Sequence, residues 1–402
     1  MRILLINQVF HPDVAATAQH GYDLARHLTA HGHEVEVIAS RSLYGRSGAA
    51  LPAHEFIEGI EVNRVGRSFF GKAGLVARAA DFAVFYLACF LKVMTVRRPD
   101  VTICFTTPPF IALIGWWLRV TRGSRFVFWL MDMYPDLMYP VGALREGSVP
   151  ARILDWVNRA TLRAADRVVV LGRCMHRKVL EKGIDPSRVV HIGVWSDTAE
   201  IRPVDRQTNP YRQEWKLGDA FVVMYSGNFG IGHDVATMLG SAEALRSDHS
   251  IRFAFVGGGK KKAEVEAFVR ERDLSTAVLA DYQPRAKLDA SLSLADVHLV
   301  SLLEGLEGCI VPCKLFGAMA AERPTIFIGS PESEIARVLT EHQCGIVVRQ
   351  GDVAHLSEVI RSLAADRAQA RMLGERARRA LHLAYDRERA CEAWRRLLEA
   401  VG

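Results

Sequence analysis

Short apolar runs that resemble buried strands alternate with amphipathic helical patterns along both halves of the chain. This alternation is typical of βα units, whose strands pair in parallel. Because a parallel sheet needs helices on its faces, the alternation constrains the fold class directly and predicts an α/β protein. The strand-like runs are ILLIN, EVEVIAS, VTICF, FVFWLM and RVVVLG in the first half, and FVVMYSG, RFAFVG, VHLVSL and TIFIG in the second.

The chain has 402 residues, more than one hydrophobic core usually fills, so two domains are expected. A polar, proline-bearing stretch, WSDTAEIRPVDRQTNPYRQEWKLGD, lacks a periodic apolar face and is typical of a connection between domains. We place the boundary near Val204, which predicts a first domain of residues 1–203 and a second of residues 204–385. A last helical pattern follows in residues 386–402.

Seven scattered cysteines, an odd number without a CxxC pair, favour a reducing cytoplasm and argue against a structural metal. Cys309 and Cys313 stand four residues apart and would meet on one helical face, but no partner ligands complete a zinc site. We therefore expect two packed thiols and no metal. The chain starts with the strand-like RILLI rather than a signal-peptide pattern, so we expect that the protein is not secreted.

The net charge of +6 and the pI near 9 suit an anionic membrane face, a nucleotide or a nucleic acid. The sequence has no zinc finger, RNA-binding aromatic motif or dense basic run, so nucleic acid ranks last among these partners. The most apolar stretch, residues 82–96, is interrupted by Lys92 and falls short of the ~20 residues that span a bilayer. We predict a buried or interfacial helix there.

The segment GCIVPCKLFGAMAAERPTIFIG, residues 308–329, has the pattern of a helix start followed by a buried strand. Pro312 lies where the helix would begin, Lys314 falls in its first turn, and Pro324 follows its end. Free backbone N–H groups and the helix dipole favour an anion at such a start, and a lysine adds a full positive charge. The pattern indicates a sugar-nucleotide site. An ordinary amphipathic helix with a solvated lysine accounts for this segment equally well.

These residues resemble the matching helix of the glycosyltransferases of family 4, in particular the bacterial colanic-acid or O-antigen branch. The resemblance extends from MRILLINQVFHPDVAATAQHGYDLARHLTAHGHEVEVIAS to the closing YDRERACEAWRRLLEA. It implies a GT-B fold, in which two Rossmann-like domains face each other across a cleft and the last helix crosses back to the first domain. It also implies a retaining, metal-independent hexosyltransferase that needs no cofactor and uses a nucleoside-diphosphate-sugar as co-substrate.

The resemblance places the donor in the second domain, beyond the carboxyl ends of its strands. Many family members carry an arginine and a lysine where this chain has Asn228 and His233, so Lys314 is the expected positive partner of the phosphates. A helix is expected to begin near Gly230, and the three lysines at 260–262 are expected to form a solvated helix start. The implied donor-binding residues are Gly227, Asn228, Gly230, His233, Gly257, Gly258, Tyr282, Gln283, Pro312, Cys313 and Leu315.

Two carboxylates follow the run FVFWLM and are assigned to the acceptor side by the same resemblance. Asp132 would orient or deprotonate the acceptor hydroxyl, and Asp136 would lie near it. Each carboxylate would serve equally as a turn cap. After ILLIN, Thr17 and Gln19 match polar positions of the turn that admits substrate in the family, although Thr17 also suits the N-cap of a helix.

Typical family members carry two glutamates separated by seven residues, one near the donor sugar and one at the ribose. The corresponding positions in this chain are Cys309 and Gly317. Glu334, in the later segment GSPESEIAR, is the expected substitute, and we assign it with Asp132 and Lys314 to the catalytic set. The alternative for Glu334 is a carboxylate at a helix start, where the dipole favours it.

Two patches of basic and aromatic residues favour contact with an anionic membrane. If they lie on the first domain, the resemblance implies a polyprenyl-diphosphate-linked or saccharide acceptor, reached by a cytoplasmic protein on the inner face of the cell membrane. The alternative is that the aromatic side chains belong to the core. The patches comprise Arg64, Arg67, Phe69, Phe70, Lys72 and Arg78, and Trp116, Trp117, Arg119 and Arg122.

Other functions fit the pattern in part. The missing glutamate pair suits a non-catalytic nucleotide-sugar-binding partner of another transferase. A sugar-nucleotide epimerase of similar architecture is disfavoured, because only Asp132 and His233 suggest paired acid and base work. An oxidoreductase is disfavoured because the triple glycine at 257–259 is not the spaced GxGxxG of a dinucleotide site.

Overall fold

The computed structural model describes residues 1–43, 50–67 and 75–402, with the backbone alone for residues 75–78. The chain divides into two compact units, Met1–Gly193 with Glu388–Gly402 and Val194–Arg387. The division lies at residue 193 rather than at the expected 203. The polar stretch packs with the second unit, where Arg206 pairs with Asp296 and Asn209 Nδ2 donates to the carbonyl of Ala290 at 2.7 Å.

The strands of the first unit form one sheet. Its eight strands, counted in the described residues, are β1 (Arg2–Ile6), β2 (Glu34–Ser40), β3 (His54–Ile57), β4 (Ile60–Val65), β5 (Val101–Cys104), β6 (Arg125–Leu130), β7 (Arg167–Val170) and β8 (Val189–His191). Their order is β3-β4-β2-β1-β5-β6-β7-β8, and all neighbours run parallel except β3, which pairs with β4 antiparallel. The sequence pattern did not reveal β3, β4 and β8, because β3 and β8 are short and β4 contains the polar residues Glu61, Asn63 and Arg64.

Helices α1 (Ala16–Ala30), α2 (Leu75–Thr95), α3 (Ala112–Arg122), α4 (Val149–Ala164) and α5 (Arg173–Glu181) cover this sheet. The helix predicted over residues 82–96 is part of α2, which buries Phe85, Cys89 and Val93 at helical spacing. No helix in the described ranges is both long enough and apolar enough to cross a bilayer.

The second unit, all of whose residues are described, is built on a fully parallel sheet. Its strands are β9 (Phe221–Asn228), β10 (Ile251–Gly258), β11 (Ala277–Ala280), β12 (Val297–Ser301), β13 (Thr325–Ile328) and β14 (Gly345–Val348). They lie in the order β11-β10-β9-β12-β13-β14. Strands β10 and β11 therefore lie on one side of β9, and the later strands β12, β13 and β14 lie on the other side. Such a reversal opens a crevice at the carboxyl ends of the two central strands, where ligands bind in this type of sheet.

Side-chain caps fix where several helices of this unit begin. Ser333 Oγ accepts from the Ala336 amide at 3.2 Å, and Asp352 Oδ1 accepts from the His355 amide at 3.0 Å. Each such cap stabilises a helix by about 1 kcal/mol. The α-helices of the second unit are α6 (Pro210–Glu214), α7 (Ala236–Ala244), α8 (Lys262–Glu271), α9 (Leu288–Ser293), α10 (Lys314–Ala320), α11 (Glu334–Glu341), α12 (Val353–Ala365) and α13 (Arg367–Ala380). The chain ends with α14 (Arg387–Val401).

The central strand β9 shows how the second sheet is buried. Phe221, Val223 and Tyr225 belong to one apolar cluster, whereas Val222 and Met224 belong to another. Successive side chains of a strand point to opposite faces, so helices cover both sides of the sheet. The predicted class of two Rossmann-like α/β domains is thereby confirmed, with the antiparallel β3 as a departure from a purely parallel first sheet.

The last helix, α14, packs in the first unit. Trp394 is fully buried, and its ring centroid lies 4.4 Å from that of Trp129 on β6. Trp129 in turn contacts Phe105, with a centroid distance of 4.5 Å. This aromatic contact explains why the polar, arginine-rich end of the chain is held on the first unit.

Candidate active site

The crevice at the carboxyl ends of β9 and β12 contains a lysine, a histidine and glycine-rich backbone. Lys314 is the first residue of α10, and its aliphatic carbons run over Gly227, where an added Cβ would lie 2.7 Å from Lys314 Cε. His233 lies in the loop between β9 and α7 and is buried. Nζ of Lys314 is 2.9 Å from Nε2 of His233. The structure thus brings together two residues that are 81 positions apart in the chain.

The hydrogen bonds of His233 fix its tautomer. Nδ1 lies 2.6 Å from the carbonyl oxygen of Ser301, the last residue of β12. A carbonyl oxygen only accepts, so Nδ1 carries the ring proton and donates it. Nε2 then has a lone pair and accepts from the Lys314 ammonium. The ring therefore ties Lys314 to the end of β12, and both ring nitrogens are used within the protein.

The charges of this pair follow from their surroundings. Burial, and to a smaller extent the neighbouring Lys314 ammonium, lower the pKa of His233 to about 3. Burial also lowers the pKa of Lys314 to about 8, and no carboxylate of the described residues raises it. The ammonium lies 5.1 Å from the ring centroid of Tyr225, a cation–π contact that the sequence did not suggest. A cation in a crevice with no carboxylate partner among the described residues favours an anionic ligand.

Backbone approaches backbone closely where the glycine-rich turns follow β9 and β10. Gly227 and Gly257 have φ of +136° and +131°, values that L-residues rarely adopt. A Cβ on Gly257 would overlap the Gly227 carbonyl, and one on Gly258 would lie 2.9 Å from the Tyr282 ring. Because these glycines have no side chain, the two turns can approach each other closely, and room is left for a ligand.

Several residues that we expected to contact the donor have other positions or roles in the structure. No helix begins near Gly230; α7 begins at Ala236, and Gly230 accepts a turn hydrogen bond from the His233 amide at 3.2 Å. Leu315 is fully buried in the core, so its side chain is packed rather than open to a ligand. Pro312 is buried as well, and Cys313 occupies the N-cap of α10.

The sequence pattern does not reveal the role of Lys261. We expected the lysines at 260–262 to be solvated, but Lys261 Nζ donates to the carbonyl of His233 at 2.7 Å. Lys262 forms an ion pair with Asp281. Only Lys260 of the three is exposed. Lys261 therefore adds a second positive charge beside the crevice.

Three further donor candidates occupy the same carboxyl edge of the sheet. Tyr282, after β11, is 48% exposed, and its hydroxyl donates to the Gly258 carbonyl at 3.3 Å. Gln283 is held by Tyr211, whose hydroxyl donates to Gln283 Oε1 at 2.8 Å. Asn228 ends β9 with an exposed side chain. Tyr282 therefore presents an open aromatic face, which suits a stacked base.

Glu334 follows β13 at the same edge and is the first residue of α11. Its side chain is buried, and Ser333 caps the helix in the position just before it. The two positions at which the resemblance leads us to expect glutamates contain Cys309, which is fully buried, and Gly317 on α10.

In the first unit, Asp132 follows β6 at a carboxyl end, as predicted. Burial outweighs the opposing contact with Thr106 and raises the pKa of Asp132 to about 6. Thr106 Oγ1 accepts from the Asp132 amide at 3.1 Å. The same small cavity is lined by Asn158 on α4, whose buried Nδ2 makes no hydrogen bond to any described residue. Because α4 lies far along the chain, no sequence signal linked Asn158 to Asp132.

The other acceptor-side candidates take part in local structure. Asp136 pairs with Lys182 at 2.9 Å, and the buried Lys182 also pairs with Asp155 at 2.7 Å. Gln19 Nε2 donates to the Val14 carbonyl at 2.8 Å. Thr17 is not the cap of α1, because the helix begins one residue earlier and its N-cap is Ala15.

The predicted basic and aromatic patches are partly corrected. Arg64 is buried, pairs with Glu55 and donates to the His11 carbonyl at 2.7 Å, so it is no surface cation. Arg119 pairs with Asp166 at 3.0 Å. Arg122 donates to the backbone carbonyls of Met94 and Val96. Trp116 and Trp117 are half-buried. Phe69, Phe70, Lys72 and the Arg78 side chain lie outside the described residues.

One group of side chains in the described ranges has the composition and spacing of a metal site, namely His27, His31 and Glu392 in the first unit. Cys309 and Cys313 belong to no such group there. Neither Lys314 nor His233 belongs to this group.

The fold and the crevice define the class of two-domain GT-B proteins. The glycosyl transferase 4-like domain matches residues 16–195, and the glycosyl transferases group 1 family matches residues 207–380. The chain therefore belongs to the GT-B glycosyltransferases of family 4.

Two curated relatives are similar to the chain. It is 30% identical to the probable glycosyltransferase WbjE of Pseudomonas aeruginosa, in a match that covers 66% of this chain and 66% of the length of WbjE. It is 26% identical to the putative colanic acid biosynthesis glycosyl transferase WcaI of Escherichia coli K12, over 87% of this chain and 88% of WcaI.

Solved structures agree with this fold. Sucrose-phosphate synthase from Thermosynechococcus elongatus matches with a TM-score of 0.78 at 18% identity, over the whole of both chains. Anabaena HepE, solved in complex with UDP-glucose, matches with a TM-score of 0.74 at 11% identity, also over the whole of both chains. WaaG, a glycosyltransferase involved in lipopolysaccharide biosynthesis, matches with a TM-score of 0.67 at 17% identity, over 97% of this chain and 99% of WaaG.

Proposed function

We propose that the protein is a retaining hexosyltransferase that moves a sugar from a nucleoside diphosphate to a hydroxyl of a lipid-linked or saccharide acceptor. The names of WcaI, a putative colanic acid biosynthesis transferase, and WaaG, involved in lipopolysaccharide biosynthesis, support bacterial surface polysaccharide as the product. In the reaction the bond from the anomeric carbon to the β-phosphate oxygen breaks, and the acceptor oxygen bonds to the same carbon.

The observation that carries this proposal is the Lys314 ammonium in the crevice between β9 and β12, held by a neutral His233 and lacking a carboxylate partner among the described residues. Negative charge develops on the departing diphosphate in the transition state. A positioned cation at that point stabilises the transition state more than the ground state. Lys261 adds charge nearby. We therefore propose that the phosphates bind here and that the reaction needs no metal.

For the nucleoside we propose contacts with the open ring of Tyr282 and the carboxylate of Glu334, which follow β11 and β13 at the same sheet edge. The UDP-glucose complex of HepE makes UDP-sugars the first donors to test. Chelation with EDTA is expected to leave turnover unchanged, and a loss of turnover that is restored by Mg²⁺ or Mn²⁺ would overturn metal independence.

On the acceptor side we propose Asp132 as the base that takes or orients the hydroxyl proton. A pKa of about 6 leaves this carboxylate largely ionised at neutral pH while keeping it a stronger base than an ordinary aspartate. Asn158, which lines the same cavity, is proposed to hold an acceptor hydroxyl through its Nδ2.

We further propose that the protein works in the cytoplasm, where the first unit contacts the anionic inner face of the membrane. We assign this membrane contact to residues other than the predicted basic and aromatic patches. Helices α2 and α4 each expose an apolar stripe at helical spacing, which suits contact with a membrane surface. The stripes are Leu87, Leu91 and Met94 on α2, and Val149, Ile153 and Trp156 on α4.

A vesicle assay tests this contact. We expect sedimentation with phosphatidylglycerol vesicles but not with phosphatidylcholine vesicles, and a loss of sedimentation in a Leu91→Gln, Trp156→Gln double variant. Phe56→Gln, which changes an equally exposed residue on β3, is the matched control and should sediment like wild type. Equal sedimentation of all three proteins would contradict the proposed surface.

The transferase itself is tested by release of nucleoside diphosphate from UDP-, GDP- and dTDP-sugars, with and without a membrane extract as acceptor. Acceptor-dependent release from one donor is expected in wild type and in Lys216→Asn. Lys216 is an exposed lysine with φ of +53°, a conformation that asparagine tolerates, so it controls for loss of a lysine elsewhere in the second unit. Release should fall by about 10²–10³-fold in Lys314→Ala.

The second candidate function is a non-catalytic nucleotide-sugar-binding partner of another transferase. The observation that favours it is the fully buried Cys309 and the side-chain-free Gly317 at the positions where the family carries glutamates. Binding of a donor without turnover across the whole panel and several extracts would support this function. Loss of turnover in Glu334→Ala would argue against it, because a binding partner needs no catalytic carboxylate.

A further inference from the structure

A group of histidines at the end of α1 faces glutamates of α14 within the first unit, away from the nucleotide crevice. Nδ1 of His27 lies 3.6 Å from Glu388 Oε1, and Nε2 of the same ring lies 3.8 Å from Glu392 Oε2. One ring nitrogen of His27, one of His31 and one carboxylate oxygen of Glu392 all lie within 4.8 Å of one another. Three good metal ligands therefore converge from two helices.

One nitrogen of the buried His27 imidazole lacks a hydrogen bond among the described residues. Only 8% of its side chain is exposed, and its Nε2 makes no hydrogen bond in the described part of the chain. The carboxylate oxygen at 3.8 Å is too distant for one. A buried polar atom left in this state costs about 1–3 kcal/mol, so packing alone does not explain the position of His27.

Two of the three side chains also have outer hydrogen-bond partners that orient them. Nδ1 of His31 lies 2.7 Å from the carbonyl oxygen of His27; since a carbonyl only accepts, Nδ1 carries the proton and Nε2 keeps its lone pair. Arg395 and Arg396 both donate to the Glu392 carboxylate at 2.8 Å. Metal-binding histidines and carboxylates in proteins typically have such outer hydrogen-bond partners.

We propose that His27, His31 and Glu392 bind one zinc ion, with solvent as the fourth ligand, and that Glu388 orients His27 from the other side of the ring. Two imidazoles and a carboxylate are ordinary ligands of zinc. Tetrahedral zinc sets its ligand atoms about 3.3 Å apart, so atoms within 4.8 Å reach it by a small rotation of the exposed His31 side chain. The bound ion joins α1 to α14 and fixes the last helix on the first unit.

The proposal is tested with the full-length protein after removal of bound metals. Titration with Zn²⁺ is expected to give one equivalent of tight binding, and Co²⁺ in its place should show the visible absorption of a low-coordinate site. At 100-fold excess over the dissociation constant, Zn²⁺ should raise the Tm of the first unit by about 5 °C.

Variants locate the site. His31→Gln and Glu392→Gln should each weaken Zn²⁺ binding at least tenfold. His33→Gln is the matched control, since His33 lies two residues further along and faces Glu399 at 3.5 Å instead; its Zn²⁺ affinity should equal that of wild type. Absence of stoichiometric binding in wild type overturns the proposal. So does equal affinity in all four proteins, which would mean that zinc binds only adventitiously to surface histidines.

Discussion

Lys314 Nζ donates a hydrogen bond to Nε2 of His233 at 2.9 Å, and this pair lies where the order of the second sheet reverses. The imidazole is held neutral by burial and by its own hydrogen bond to Ser301, so it accepts from the lysine without competing for charge. A protonated histidine at this position would repel the ammonium. The arrangement holds the Lys314 ammonium between His233 and the Tyr225 ring.

Removing the acceptor nitrogen of His233 should release Lys314 from this position. We expect His233→Leu to lower kcat at least tenfold, because the ammonium then loses its orientation and a buried acceptor. His233→Gln retains an acceptor oxygen and should lose less. Steady-state kinetics of both variants provide the measurement. If the two variants have the same kcat as wild type, His233 does not position the lysine.

We expect a side chain at Gly227 to impair nucleotide binding as well as to strain the backbone. An alanine there places its Cβ 2.7 Å from Lys314 Cε and also adopts φ of +136°. Gly351→Ala is the matched control, since Gly351 has φ of +83° but no atom within 4 Å of an added Cβ. Both variants should lose roughly 1–2 kcal/mol of stability from backbone strain, measured by urea unfolding. Only Gly227→Ala should also weaken nucleotide binding, and equal binding in both would contradict this contact.

The rate of transfer should depend on pH through two groups. Asp132, with a pKa of about 6, must lose its proton to act as a base, whereas Lys314, with a pKa of about 8, must keep its proton to neutralise phosphate. The kcat/KM is therefore expected to rise through pH ~6 and to fall through pH ~8. Lys314→Arg should move the fall to higher pH, because arginine stays protonated. A profile that is unchanged by this substitution would show that the upper limb belongs to another group.

The contact between Trp129 and Trp394 should anchor α14. Trp394→Ala removes a fully buried ring and is expected to cost about 3–5 kcal/mol in the unfolding of the first unit. Trp156→Ala removes a ring that is 67% exposed and should change stability by less than about 0.5 kcal/mol. Denaturant unfolding followed by circular dichroism measures both. Similar losses in the two variants would contradict a specific role for the Trp129 contact.

Much of the fold could be predicted from the sequence, because apolar runs mark buried parallel strands directly. All nine predicted runs form strands. Five further strands of the described residues are not among these runs. β3 alternates exposed and half-buried residues and pairs antiparallel at the edge, whereas β11 and β14 are apolar but mostly half-buried. The start of α7 was placed too early because the glycine-rich loop after β9 has the composition of a helix-start turn but contains His233 at its centre.

The candidate site was only partly predictable. Lys314 was identified by its place in a local motif, and local motifs are visible in a sequence. Its hydrogen bond to His233 and its contact with Tyr225 depend on strand order, which brings separate segments together. Lys261 was misjudged for the same reason, since nothing in a run of three lysines shows that the middle one bonds to the His233 carbonyl.

The most direct test of the central claim compares the affinities of a nucleoside diphosphate and its parent nucleoside for wild type and Lys314→Gln by calorimetry. The pair to use is the one that binds wild type most tightly among UDP, GDP and dTDP. If Lys314 binds the phosphates, the diphosphate should bind the variant at least tenfold more weakly, while the nucleoside binds both proteins equally. An unchanged affinity for the diphosphate, or an equal loss for the nucleoside, would contradict the assignment of this crevice as the phosphate site.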